Sequence, residues 1–564
     1  MVEHLVRNFL KSATLWLIPV GFLAVFFVWP SASIIGLGLG SKSAGAGAHG
    51  DALTAIFSRV FADPDVLSAI WFTVWQAVVS TLATLALAIP AAYVLYRKSM
   101  RGSQFYRALI TIPLVLPTIV VAIIFSSFQK AHELYSDIGM SFWFENEIYW
   151  ILVAHVFINF AIAVRTIGSM WAGLDRSPEE AAALAGANRL RIFWSVSAPM
   201  LRPAIVSATA LVFLFCFTSF GVIAILGGGQ VSSIETQISI AALQFLDLQK
   251  ASVLAVVQTA ITMAAFFIGQ KFARGTIGLD QLTDSESPVE IVDKRDRPAV
   301  LVTLLFIYGV ILIPIALLMA RAFETPSGLG LSNFVNLAGQ GERELLNISV
   351  WQAALNSLRN LSVALGIVLP TGLLVSFLTS RRAKTKFARA VIGVFDSAFM
   401  LPMGVSSVVL GLGFLITFNA EPLPLRSSWL VLPLVQALIA LPLVIRVLQP
   451  ALLAIEAEQL EAARTSGANS WQIWWRLEVP IISPAIKTAL VFAILVSIGE
   501  FGAATLLTAG DQATLSTVLA QLISRPGGTN YGMAMAMSAL LVLGTAALVG
   551  LAQLKFNARS SKAL

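Results

Sequence analysis

One cysteine in 564 residues, Cys216, excludes an internal disulfide, and four histidines leave no Cys/His set with the spacing of a structural zinc site. Charge is scarce as well. Asp, Glu, Lys and Arg make up 12% of the chain, against about 25% in soluble domains, so water cannot be its only solvent. No G-x-x-x-x-G-K-[ST] stretch is present to cradle a nucleotide phosphate, and the one glycine run, Gly227-Gly228-Gly229, lacks the Lys-Ser/Thr that would follow it. It reads as a turn at a helix end. His4, His49 and His132 lie in tails or loops, and His155 stands alone on an apolar stretch as a packing residue, so no catalytic set forms. Catalytic residues, metal ligands and a cofactor of its own are not expected in this chain.

What is abundant is apolar: 57% of residues are hydrophobic, and mean hydropathy is +0.83. They fall in blocks of about 20, the length that crosses a hydrocarbon layer of about 30 Å at 1.5 Å per residue. Twelve spans are predicted, near 15–38, 67–96, 108–127, 148–173, 204–226, 251–270, 299–320, 351–379, 390–417, 428–450, 488–508 and 532–554. The fold class is therefore all-α and polytopic. With the N-terminus inside, cytoplasmic segments hold 26 of the 37 Lys and Arg, outer segments 9, and Arg165 and Arg446 lie within or near helices. That bias orients the chain with both termini cytoplasmic, and it accounts for the net charge of +7 without a nucleic-acid partner.

Residues 180–205 (EAAALAGANRLRIFWSVSAPMLRPAI) and 461–486 (EAARTSGANSWQIWWRLEVPIISPAI) align without a gap at an offset of 281 and share 12 of 26 residues. The chain contains one unit twice. The register also pairs Arg165 with Arg446, Asp175 with Glu456, Phe220-Gly221 with Phe501-Gly502, and Gly229 with Gly510, while a slightly different offset pairs Leu116-Pro117 with Leu401-Pro402. Two homologous six-helix halves follow, 1–270 and 299–564, in the same orientation and with a pathway expected between them. Residues 271–298, with DQLTDSESPVE and DKRDR, read as a solvated cytoplasmic linker.

The repeated segments lie in the longest cytoplasmic stretches, about 174–203 and 455–487. Pro178 can open a short helix carrying Glu179, Glu180, Ala181 and Ala182; Gly186 permits a reversal, and a second helix runs to Pro199. Glu461, Ala462, Ala463, Gly467 and Pro480 repeat the arrangement. Small alanines allow close approach of a partner, and Ile192, Trp194, Ile473 and Trp475 supply apolar anchors.

This pattern, Glu-Ala-Ala, three residues, Gly, and a later Pro, resembles the coupling loop of the inner-membrane permeases of binding-protein-dependent ABC importers. Ala198 and Val479 stand where that family usually has Leu. The resemblance implies a prokaryotic plasma membrane, two copies of a cytoplasmic ATPase that use ATP and Mg, and an extracytoplasmic substrate-binding protein. Two fused halves, with the stretches 217–258 and 499–538, resemble thiamine permeases first and ferric-iron permeases next.

Ionisable groups at bilayer depth mark pathways or ties between helices. Asp396 and Glu500 are the candidates, and Thr111 and Ser219 stand at the aligned positions of the first half, so a cation would meet carboxylates of the second half. Arg165 and Arg446 can snorkel toward the cytoplasm and relay motion. The rival reading is an ion-coupled secondary transporter with two six-helix halves, which leaves the paired loops unexplained.

Overall fold

The computed structural model describes residues 15–40, 49–129, 146–273, 290–325, 328–380, 386–419, 423–426, 428–525 and 527–560. Among them, ten helices are long and apolar enough to cross a membrane, and two bent pairs raise the number to twelve. In the first half these are α1 (Leu15–Gly38), α3 (Pro64–Arg97), the pair α4 (Ser103–Val115) and α5 (Thr118–Gln129), α6 (Glu147–Gly173), α8 (Arg189–Phe217) and α11 (Leu248–Ala273). Shorter helices are α2 (His49–Phe61), α7 (Ser177–Leu184), α9 (Gly221–Leu226) and α10 (Ile234–Leu243).

The second half repeats the order. Its long helices are α12 (Lys294–Phe323), α13 (Val350–Ser380), the pair α14 (Arg389–Gly404) and α15 (Ser407–Thr417), α16 (Val431–Leu453), α18 (Ser470–Gly499) and α21 (Gly528–Ser560). Between them come α17 (Ala457–Thr465), α19 (Gly502–Leu507) and α20 (Leu515–Ser524).

Helix starts follow side-chain capping. Asp63 accepts from the N–H of Asp65 at 3.0 Å ahead of Pro64, and Asn146 from that of Ile148 at 2.9 Å. Prolines leave matched distortions. π-turns at 24–28 and 307–312 precede Pro30 and Pro314, and those at 193–197 and 474–478 precede Pro199 and Pro480, because a proline inside a helix removes one backbone donor.

Four expectations change. The spans expected at 108–127 and 390–417 are bent pairs, with angles of 97° and 98°. The bends at 116–117 and 405–406 set Pro113 opposite Pro402, an offset of 289 rather than the one that pairs Leu116-Pro117 with Leu401-Pro402. The fifth and eleventh spans do not begin at 204 and 488 but continue from the second helix of each cytoplasmic loop as α8 and α18, then break before α9 and α19. The outer segments after them are not loops throughout, since α10 and α20 are apolar, largely buried and too short to cross.

Each half's first helix packs on its own half and also reaches across to the other. On α1, Trp16 stacks on Phe395 with centroids 4.6 Å apart, Phe26 lies 6.1 Å from Phe414, and Trp29 meets Phe418 edge-on at 5.6 Å. On α12, Phe306 packs at 4.2 Å on Phe160 of α6. Residues 274–289 of the expected linker lie outside the described residues; 293–295 are exposed, as expected, but the segment is docked at both ends. Glu290 and Ile291 pair in parallel with Lys98 and Ser99, and Asp296 is buried against the first half.

Candidate functional site

Each cytoplasmic loop is built by a helix stop. The α7 helix ends in a pair of bonds, Gly186 N–H to Ala183 O and Ala187 N–H to Ala182 O, both 3.0 Å, with Gly186 at φ +85°. In the second loop the bonds run from Gly467 to Arg464 at 3.0 Å and from Ala468 to Ala463 at 3.1 Å, with Gly467 at φ +84°. Only glycine takes this left-handed position without strain. Asn188 and Asn469 then cap the next helices, accepting from the N–H of Arg191 and of Gln472, each at 2.8 Å.

Glu180, Ala181, Glu461 and Ala462 are exposed, while Ala182 and Ala463 are half-buried. The expected anchors divide. Trp194 and Trp475 are exposed, but Ile192 is half-buried and Ile473 buried, and their exposed places are taken by Leu190 and Trp471. Trp471 and Trp475 meet edge to face at 5.5 Å, one helical turn apart.

The loops are held differently. The Arg97 guanidinium, at the end of α3, donates to Glu179 Oε2 at 2.7 Å, Leu174 O at 2.8 Å and Trp171 O at 3.2 Å, and the Ser197 hydroxyl donates to Glu179 Oε1 at 2.7 Å. Asp175, outside the spans, is held below the ordinary carboxylate range by the N–H and then the hydroxyl of Ser177. In the second loop Leu460 replaces Glu179, and the buried acid moves to Glu478, opposite Ser197.

Behind the first loop, Asp296 accepts from Arg189, from Lys98 Nζ at 3.2 Å and from the Tyr93 hydroxyl at 3.2 Å, which ties the start of the second half to the first loop. A cleft of about 1050 Å³ opens there, walled by Tyr93, Arg97, Trp171, Glu179 and Arg189. These anchors were missed because they pair residues far apart in the chain.

Within the membrane region, the breaks after α8 and α18 meet. Phe220 and Phe501 stack with centroids 5.2 Å apart, and a Cβ on Gly221 would lie 2.8 Å from Thr118 Oγ1, one on Gly502 2.4 Å from Ser407 Oγ. Glu500 sits in this contact, 7% exposed, its carboxylate accepting from the N–H groups of Ala503 at 2.7 Å and Ala504 at 2.9 Å. Ser219 is buried in the matching break.

The other two candidates lie elsewhere. Asp396 accepts from Gln449 at 2.9 Å, Gln449 also reaches Thr379 at 3.0 Å, and the Asp396 charge acts on Arg446, so this carboxylate ties α14 to α13 and α16 of its own half. Thr111 bonds only its own helix, through Arg107 O at 2.8 Å. Arg165 and Arg446 are both exposed on the protein surface. Sequence reasoning passed over Glu235 at the start of α10, which is 1% exposed and accepts from Gln258 Nε2 at 2.5 Å. Its signal was the pair Ser233 and Thr236, which cap α10 as Thr514 and Thr517 cap α20, again at an offset of 281.

The sequence profile of the "binding-protein-dependent transport system inner membrane component" family matches the chain twice, over residues 84–278 and 368–559. The chain is 27% identical over 492 residues to a thiamine transport system permease protein, ThiP, of Escherichia coli, covering 86% of this chain and 88% of that protein. Its likeness to the ThiP protein of Brucella suis is 27% over 465 residues, covering 80% and 81%. A probable ABC transporter permease protein of Sinorhizobium fredii, y4fN, is 24% identical over 454 residues, with 76% of each chain covered.

Proposed function

Because the chain belongs to the inner-membrane components of binding-protein-dependent transport systems, as a fused two-half permease of an ABC importer, we propose that it imports thiamine by alternating access. The observation that carries the reading is the pair of glycine-stopped helices, α7 and α17, at one register offset and with one backbone geometry. Each projects a short helix with small, exposed alanines, a shape suited to a groove on an ATPase subunit.

One ATPase copy sits on each loop, through Glu180, Ala181, Ala182 and Gly186 in the first and Glu461, Ala462, Ala463 and Gly467 in the second. ATP and Mg belong to the ATPase, and this chain binds no cofactor. Both termini face the cytoplasm, and a loaded binding protein docks on the outer side. Closure of the ATPase dimer draws α7 and α17 together, and α8 and α18 carry the motion without interruption to the breaks at 218–220 and 500–501. Phe220 and Phe501 form the closed contact between the halves, and substrate passes when that stack opens. The thiamine assignment follows the similarity to the ThiP proteins.

The test is reconstitution of the chain with its ATPase and binding protein in liposomes. Thiamine-loaded binding protein is expected to stimulate ATP hydrolysis and thiamine uptake. The combined variant Glu180→Ala, Gly186→Pro, Glu461→Ala and Gly467→Pro is expected to abolish both while the permease stays folded. Full coupling in that variant would remove the loops from the mechanism and favour an ion-coupled transporter.

A further inference from the structure

Two buried carboxylates, one from each half, lie on the same side of the interface. Glu235 opens α10 of the first half, and Glu500 sits in the break after α18 of the second. Glu500 is close enough for its charge to act on Glu235, and Ser406 and Ser407, at the bend between α14 and α15, stand beside Glu235 and Glu500 respectively. Thr262 of α11 donates to Gly404 O at 2.6 Å and fastens the same bend to the first half.

The repeat makes this cluster one-sided. At the offset of 281, Glu235 corresponds to Ser516 and Glu500 to Ser219. One pseudo-symmetric face of the interface therefore holds two acids, and the other holds two serines.

The acidic face is chemically incomplete. Glu235 Oε2 and Gln258 Oε1 are both buried without a hydrogen-bond partner, in side chains 1% and 0% exposed. Among the described residues no Lys or Arg pairs with Glu235 or Glu500. Two buried acids with no cationic partner are complemented by a ligand's positive charge, and the unpaired Gln258 carbonyl calls for a donor. What completes the site therefore brings positive charge and N–H groups together.

Resting on the importer reading above, we infer that Glu235, Glu500 and Gln258 form a transient binding site for an organic cation bearing N–H donors, passed from the binding protein during translocation. The site selects for charge after the binding protein has selected for shape. Its one-sidedness gives the substrate a fixed orientation between two otherwise similar halves.

The experiment is equilibrium binding to the assembled permease–ATPase complex, nucleotide-free and ATP-locked, with two probes of nearly one shape: benzamidinium and neutral benzamide. Saturable binding of benzamidinium in either state, at least tenfold tighter than benzamide, is expected. Glu235→Gln and Glu500→Gln should each weaken it at least tenfold, while Ser516→Ala stays within twofold. Equal affinity for the two probes, no saturable binding, or unchanged binding in the double Gln variant would overturn the site. The probe comparison on the unaltered complex needs no variant to fold. Charge-selective, glutamate-dependent binding in a complex that fails to import thiamine would refute the substrate assignment and leave the site standing.

Discussion

Gly186 and Gly467 have open space where a Cβ would go, so the whole cost of replacing either is the left-handed backbone. Alanine there costs about 1–2 kcal/mol, while asparagine tolerates the same conformation better. Each Gly→Ala variant is expected to weaken ATPase association by roughly five- to thirtyfold, with Gly→Asn recovering much of it, as read by co-purification titrations. Equal losses for Ala and Asn would mean that the turn is not what matters. Arg97, 3% exposed, holds Glu179 and two carbonyls, so Arg97→Met strands several buried acceptors. A loss of about 2–3 kcal/mol is expected, lowering the thermal midpoint of the purified protein. Adding Glu179→Leu should restore part of it, because the stranded carboxylate is then gone.

At the scale of elements, the crossing of the two breaks has no room to spare. A methyl on Gly502 would press on Ser407 Oγ at 2.4 Å and on Val408 Cγ2 at 2.8 Å, so Gly502→Ala is expected to cost about 1–3 kcal/mol by overpacking, and Ser407→Gly in the same chain should relieve part of it. Thermal unfolding of the single and double variants checks this. These contacts were only partly legible in the sequence. The gap-free register placed the loops and their glycines and paired Phe220-Gly221 with Phe501-Gly502, because local backbone chemistry is written into neighbouring residues. The spans expected at 204–226 and 488–508 nevertheless ran straight through both breaks. The right-angle bends were hidden inside apolar runs, since hydropathy records burial and not direction. A helix of ten residues such as α10 falls below the length that marks a span, and a glutamate after Ser233 looks like an exposed helix start. Only packing against Gln258 and the second half makes Glu235 an interior residue.

The whole molecule is one body because each half reaches onto the other. Asp296 grips Lys98 and Arg189, and α12 packs across on the first half while α1 packs across on the second. Two chains divided within residues 274–289 are therefore expected to co-purify as a working permease. Asp296→Asn should lower their recovery severalfold, since the buried ion pair of Asp296 with Lys98 and its bond to Arg189 would both be weakened. Failure of the divided chains to associate would show that the covalent link, rather than the docked 290–296 segment, holds the halves together.

The reach of α1 across to the second half also sets a timetable for biogenesis. Phe26 leaves the ribosome long before Phe414, the residue it packs against, which follows 388 positions later. At about 5–20 residues per second, α1 waits roughly 20–80 s in the bilayer with its aromatic face open to lipid or to a membrane chaperone. Its other side is held earlier by α11, where Gly38 lies against Ser252, but until Phe414 arrives the aromatic face is one that a neighbouring nascent permease could capture.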